Sequence, residues 1–148
     1  MCDYSLENVP SRAAQVGERL VTREFEGSMT RGFASPSEPD VAVCLLPGTE
    51  LAFEEDALCD HPLGLYQKRK LREKTARFRQ VNMSSPYEHH DALEFACGRV
   101  VLLTRLSIGQ YAAVLQLPSQ AHAVEAARQS ALRAPDAPAR PKTLPAAT

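Results

Sequence analysis

No stretch of this 148-residue chain approaches the roughly 20 consecutive apolar residues that a transmembrane helix needs. Met1 is followed by Asp3 and Glu7 and by no apolar run, so no secretory signal is expected. The expected compartment is therefore the cytoplasm, with no membrane partner, and there the four cysteines would stay reduced. Catalytic signatures are missing as well. There is no Gly-x-Ser-x-Gly elbow and no Gly-x-Gly-x-x-Gly, and Gly48-Thr49 lacks the lysine and spacing of a phosphate-binding loop. Glu54, Glu55 and Asp56 are consecutive, which makes an exposed acidic turn rather than an acid/base pair. No Cys-x-x-Cys pair occurs, so the usual spacing of a structural zinc site is absent too. These absences weigh against an enzyme.

What is present is an ordinary soluble composition, 44% hydrophobic and 24% charged. A chain of this length is expected to form one domain and can bury roughly two thirds of its unfolded surface, so it needs no metal or disulfide merely to fold. The net charge of −1 conceals an uneven distribution, with an acidic excess over residues 1–60 and a basic excess over 61–148. Two halves that pack together and neutralise explain this, and a functional basic surface is the alternative.

The first 60 residues read as β-rich. "ERLVTREF" (18–25) is a short strand, and "EGSMTRGFASPSEPD" (26–40) is mostly turn and loop. "VAVCLLPGTELAF" (41–53) reads as a hairpin of two strands around Pro47-Gly48, its first half apolar enough to be buried on both faces. "EEDALCDHPLG" (54–64) closes that unit. "LYQKRKLREKTARFRQVN" (65–82) places Leu71, Thr75 and Phe78 at i, i+4 and i+7 among basic residues, which predicts an amphipathic helix. After a loop at 83–91, strands are expected at 92–96, 99–105 and 111–117, the first two joined by a Cys97-Gly98 turn. The Ala/Pro-rich tail, 119–148, predicts a short helix at 122–133 and disorder from Ala134 onward. The expected fold is α+β: a β-rich domain over 1–118, a bent sheet or partial barrel covered by one helix, followed by a disordered C-terminal tail.

Removal of Met1 would start the chain at Cys2, with a thiol and a free α-amine on one residue. Such a residue can act as an N-terminal nucleophile, its own amine serving as base. It can also chelate a soft or borderline cation, a zinc or other transition-metal ion, through sulfur and nitrogen. Cys44, Cys59 and His61 are the partner ligands proposed for that metal or thiol site. The competing expectation for Cys44 is a core side chain, because free cysteine behaves as a small hydrophobe. A third use is redox, with Cys2 pairing to Cys59 or Cys97. Separately, the basic stretch 68–79 holds seven Lys or Arg residues, and Arg72, Arg77 and Arg79 suit bidentate contact with a nucleic acid or an acidic protein. The competing reading is a solvated face balanced by the acidic run 50–60 just before it. Exposed sheet edges allow a homo-oligomer.

Two resemblances attach to these residues. The opening Met1-Cys2 resembles class II glutamine amidotransferases, but that family has glycine next and here Asp3 follows. "MCDYSL" (1–6), "VAVCLLPGTELAF" (41–53) and "RVVLLTRLSIGQYAAVLQLP" (99–118) together resemble small uncharacterised bacterial proteins, a likeness that implies no function. The leading expectation is thus a small binding or regulatory domain with a thiol or metal site centred on Cys2. A nucleic-acid or acidic-partner module and an N-terminal-cysteine hydrolase are the alternatives.

Overall fold

Residues 75–80, "TARFRQ", carry the clearest lesson in how this chain folds. Ala76 and Phe78 are buried while Thr75 and Arg77 are exposed. That is a period of two, the signature of a strand with one face on the core. The structure is a computed structural model that describes residues 8–28, 30–61 and 68–119. Among these residues the protein is mostly β and contains no α-helix; one 3-10 turn, Leu103–Arg105, is present.

The strands are β1 Ser11–Ala13, β2 Arg19–Glu24, β3 Arg31–Ser35, β4 Glu38–Cys44, β5 Glu50–Phe53, β6 Leu58–Asp60, β7 Lys68–Lys70, β8 Thr75–Gln80, β9 Asp91–Phe95, β10 Val100–Leu102 and β11 Tyr111–Gln116. Nine of them form one sheet in the order β1-β4-β3-β2-β11-β5-β8-β9-β10, and β6 with β7 forms a separate antiparallel hairpin. Among the described residues only the β1–β4 pairing is parallel.

The sheet curls until its distant parts meet. Phe33 on β3 lies 6.5 Å from Phe53 on β5, although β2 and β11 separate those strands, and Phe53 in turn lies 6.2 Å from Phe95 on β9. A flat sheet would hold β3 and β5 roughly 14 Å apart at normal strand spacing, so the rings meet only because the sheet rolls around its inner face. Leu20, Leu51, Leu93, Ala112 and Val114 fill that interior with the three phenylalanines. A smaller cluster of Val9, Phe25, Ala34 and Ala42 lies apart from it.

Several expectations are corrected here. The covering helix over 65–82, and with it the α+β class, is replaced by β7, a turn and β8. Arg72 in that turn has φ +59, which no right-handed helix can accommodate. The 26–40 segment is not mostly loop, because β3 and the start of β4 form a hairpin around Pro36 and Ser37. The strands on either side of Pro47-Gly48 do not pair with each other: β4 pairs with β1 and β3, and β5 with β11 and β8. Gly48, at φ +97, carries the crossing, and a side chain there would meet the Cβ of Pro118 at 3.2 Å. The expected 92–96/99–105 hairpin does form, as β9–β10, although its second strand is shorter than expected and ends at Leu102. The predicted helix at 122–133 and the disorder beyond Ala134 lie outside the described residues. No helix among the described residues is long and apolar enough to cross a membrane.

Candidate functional site

The four proposed metal or thiol residues fare differently. Cys44 is the last residue of β4, half-buried, and it is disulfide-bonded. Cys59, in the middle of β6, is a buried free thiol that packs in the main core. Cys97 is an exposed free thiol in the β9–β10 turn. His61 follows β6 and is half-buried. Cys2 lies outside the described residues. The expected pairing of Cys2 with Cys59 or Cys97 is therefore corrected: both of those thiols are free. The plain core role for Cys44 is corrected as well, since its sulfur is bonded. Among the described residues, no group of three or more His, Cys, Asp or Glu side chains converges as a metal site.

Cys44 sits where the outermost strand joins the sheet. Its Cα partner across the parallel ladder is Ala13, and its carbonyl accepts the Ala14 N–H at 3.2 Å. It also borders a small cavity shared with Phe33, Phe78, Asp91 and Leu103, where β3 and β4 approach β8 and β9.

The basic stretch does not converge either. Arg77 and Arg79 alternate along β8, and each is held by a carboxylate on a neighbouring strand: Arg77 by Glu50 at 2.9 Å and Arg79 by Glu94 at 2.6 Å. Lys70 pairs with Asp56 at 3.2 Å. The acidic run before the basic stretch thus supplies partners for two of its seven cations, through Glu50 and Asp56, while Glu54 and Asp60 pair instead with Arg19 and Arg31. Lys68, Arg69 and Arg72 are exposed and make no ion pair among the described residues. A shallow groove of about 460 Å³ crosses this part of the sheet, walled by Glu50, Thr75, Arg77, Glu94 and Leu115, and its Glu50 and Arg77 charges satisfy each other.

One constellation had no warning in the sequence. Arg31 Nη1 donates to Asp60 Oδ2 at 2.5 Å and to the Leu106 carbonyl at 2.7 Å, while its Nε donates to Glu24 at 3.0 Å. The other oxygen of Asp60 accepts from Ser107 Oγ at 2.8 Å. The Ser107 carbonyl accepts from Thr22 Oγ1 at 2.8 Å and from Gln110 Nε2 at 2.7 Å. Cys59 forms a β-bridge with Leu106, so the β6–β7 hairpin is fastened to the 103–110 segment by backbone and side chains together. Burial opposes ionisation of Asp60, but hydrogen bonds from Arg31 and Ser107, with the charges of Arg31 and Lys68, hold its carboxyl below the usual range. Ser107 is almost fully buried and its hydroxyl is engaged, so this network is a fastening rather than a nucleophile. The contacts that join Arg31, Asp60, Ser107 and Thr22 span 29 to 85 residues and leave no spacing pattern for a sequence reading to find. Thr22, buried two residues after Leu20 on β2, is the one local sign of a polar group turned inward.

No family model, curated protein or solved structure matches the chain.

Proposed function

We propose that this chain is a small binding or regulatory domain, not an enzyme, whose reactive site is a thiol pair formed by Cys44 and Cys2. The observation that carries this reading is the bonded state of Cys44 beside the free state of Cys59 and Cys97. The sequence holds one further cysteine, Cys2. The thiol form of the site is favoured over the metal form, because a sulfur held in a disulfide is not the thiolate that binds a metal. The same pairing favours this reading over the hydrolase, whose Cys2 nucleophile would need to be free.

Counting thiols tests this. Maleimide labelling of the unreduced native protein should add one label, at exposed Cys97. Denaturing it without reductant should add a second, at Cys59, and reduction should bring the total to four. Peptide mapping without reductant should recover a Cys2–Cys44 cross-link. Four labels without reductant, or Cys44 linked elsewhere, would reject the pair.

A second reading rests on Lys68, Arg69 and Arg72, the exposed cations of the hairpin region that make no ion pair among the described residues. They suit an acidic partner or a nucleic acid. Binding to a single-stranded oligonucleotide or an acidic peptide should weaken steeply with salt, because phosphate contacts release counterions. Binding that ignores salt, or its absence at low salt, rejects this second reading.

A further inference from the structure

We infer that the outer edge of β7 is a docking strand for an acidic peptide, which adds to the β6–β7 hairpin as a third strand and sets its carboxylates against Lys68, Arg69 and Arg72. This rests on the second reading above and commits it to a peptide partner.

The backbone supplies the first observation. β6 pairs with β7 in the register Leu58 to Lys70, Cys59 to Arg69 and Asp60 to Lys68. One step beyond, the Leu71 N–H donates to the Ala57 carbonyl at 2.8 Å, so Ala57 and Leu71 oppose each other as a hydrogen-bonded pair. Bonded and non-bonded pairs alternate along an antiparallel ladder. Cys59 and Arg69 are therefore the next bonded pair, and the residues on either side of them turn their amide groups away from the partner strand. Leu58 obeys this: its N–H and carbonyl face away from β7 and are taken by Gln110 and by the Ser107 N–H. The N–H and carbonyl groups of Lys68 and Lys70 face out on the opposite side. There, among the described residues, no strand lies against β7. One edge of the hairpin is saturated and the other is open.

Charge decides what the open edge can take. Lys68, Arg69 and Lys70 are all exposed, as is Arg72 in the turn that follows. Asp56 holds Lys70, while Asp60, opposite Lys68, is bonded to Arg31 and Ser107. Basic residues on an edge strand keep like edges apart. A second copy's β7 is thus repelled, and a strand that carries carboxylates is attracted. The edge is also preorganised. The Cys59–Leu106 bridge and the Ser107–Asp60 hydrogen bond fix the hairpin to the body, and Leu71 is buried at its end. Pairing then costs little ordering of the protein. Strand addition of this kind takes affinity from main-chain bonds and selectivity from alternate side chains. Single-stranded nucleic acid fits less well, because it is held by aromatic stacking as well as by charge. The exposed tyrosines among the described residues, Tyr87 and Tyr111, lie off the hairpin.

The test is an NMR titration of the full, isotope-labelled chain at low salt with an end-blocked octapeptide of alternating Thr and Glu. Two further versions carry N-methyl groups, one on every Glu amide and one on every Thr amide. In an added strand only alternate amides face β7. One methylated version should therefore bind about as well as the parent, and the other at least about tenfold more weakly, through its lost backbone bonds. The parent peptide should also slow exchange of the Lys68 and Lys70 amides by about tenfold or more. Equal affinities for the two methylated versions, with binding that still weakens in salt, overturn the added strand while the second reading stands. Binding of oligothymidylate without binding of the peptide overturns it too, and moves that reading to nucleic acid. Binding of neither at low salt overturns both this inference and the second reading.

Discussion

The side chain of Gln110 pairs with the backbone of Leu58 as a neighbouring strand would. Its Oε1 accepts the Leu58 N–H at 2.6 Å and its Nε2 donates to the Leu58 carbonyl at 2.8 Å. A second donation, to the Ser107 carbonyl at 2.7 Å, ties the same amide to the 103–110 segment. One glutamine thereby fastens the β6–β7 hairpin to the main sheet. Gln110→Ala strands these backbone groups and should cost roughly 1–3 kcal/mol in urea unfolding. Gln110→Glu should be worse than Gln110→Ala, because a carboxylate would face two carbonyl oxygens.

Asp60 should make stability fall in acid. Its folded pKa is depressed below the unfolded value, so its contribution is complete above the ordinary carboxylate range near pH ~4 and is lost as pH falls through the lower folded value. Glu18, held low mainly by its hydrogen bond from Arg12 and despite some burial, adds to the same limb. Asp60→Asn should flatten that acid limb. At pH 7 it should cost only about 1 kcal/mol, since the Asp60 side chain is 39% exposed and the pair is partly screened. Urea midpoints of both proteins between pH 2.5 and pH 7 would check the sign; an unchanged acid limb in Asp60→Asn would mean the shift arises elsewhere.

Arg77 stands between two carboxylates, opposite Glu50 on β5 and opposite Glu94 on β9. Arg77→Glu would set three like charges in one cross-strand row. The expected loss is roughly 0.5–2 kcal/mol, because each directly opposed like pair is mildly destabilising. It should shrink in high salt, where Debye screening shortens to a few ångströms. Thermal melts at low and high salt would show it, and a salt-independent loss would point to packing instead.

Phe53 touches both Phe33 and Phe95 and is the middle ring of the set that closes the sheet on itself. Phe53→Ala should cost about 3–5 kcal/mol. Val100→Ala, on the exposed edge strand β10, should cost less than about 1 kcal/mol and serves as a control. Equal losses from the two would contradict a core centred on the ring set.

The strands were legible where apolar residues recur at spacing two or run together between glycines, as in 19–24, 91–95 and 111–116. They were illegible where few apolar residues fall in one window. Leu71 and Phe78 stand seven apart, a spacing that suits a helix, yet Leu71 belongs to the turn after β7 and Phe78 to β8. With only Ala76 and Phe78 turned inward on β8, the period of two rests on one alanine against a run of arginines. The Arg77–Glu50 and Lys70–Asp56 pairs were legible as charge balance between adjacent stretches. The Arg31–Asp60–Ser107 network was not, because its members come from three distant segments.

By itself, the sequence determined the β-rich character, the absence of a long apolar run and the opposition of acidic and basic stretches, since each follows from local composition and spacing. Only the tertiary structure decided which strands are neighbours, that the basic stretch is a strand and turn, and that Cys44 is bonded while Cys59 and Cys97 are free. The reason is that strand pairing joins residues far apart in the chain. Leu20 and Ala112 meet as opposed residues of neighbouring strands, and Thr22 and Ser107 through a hydrogen bond beside the same pairing, and no local spacing records either meeting.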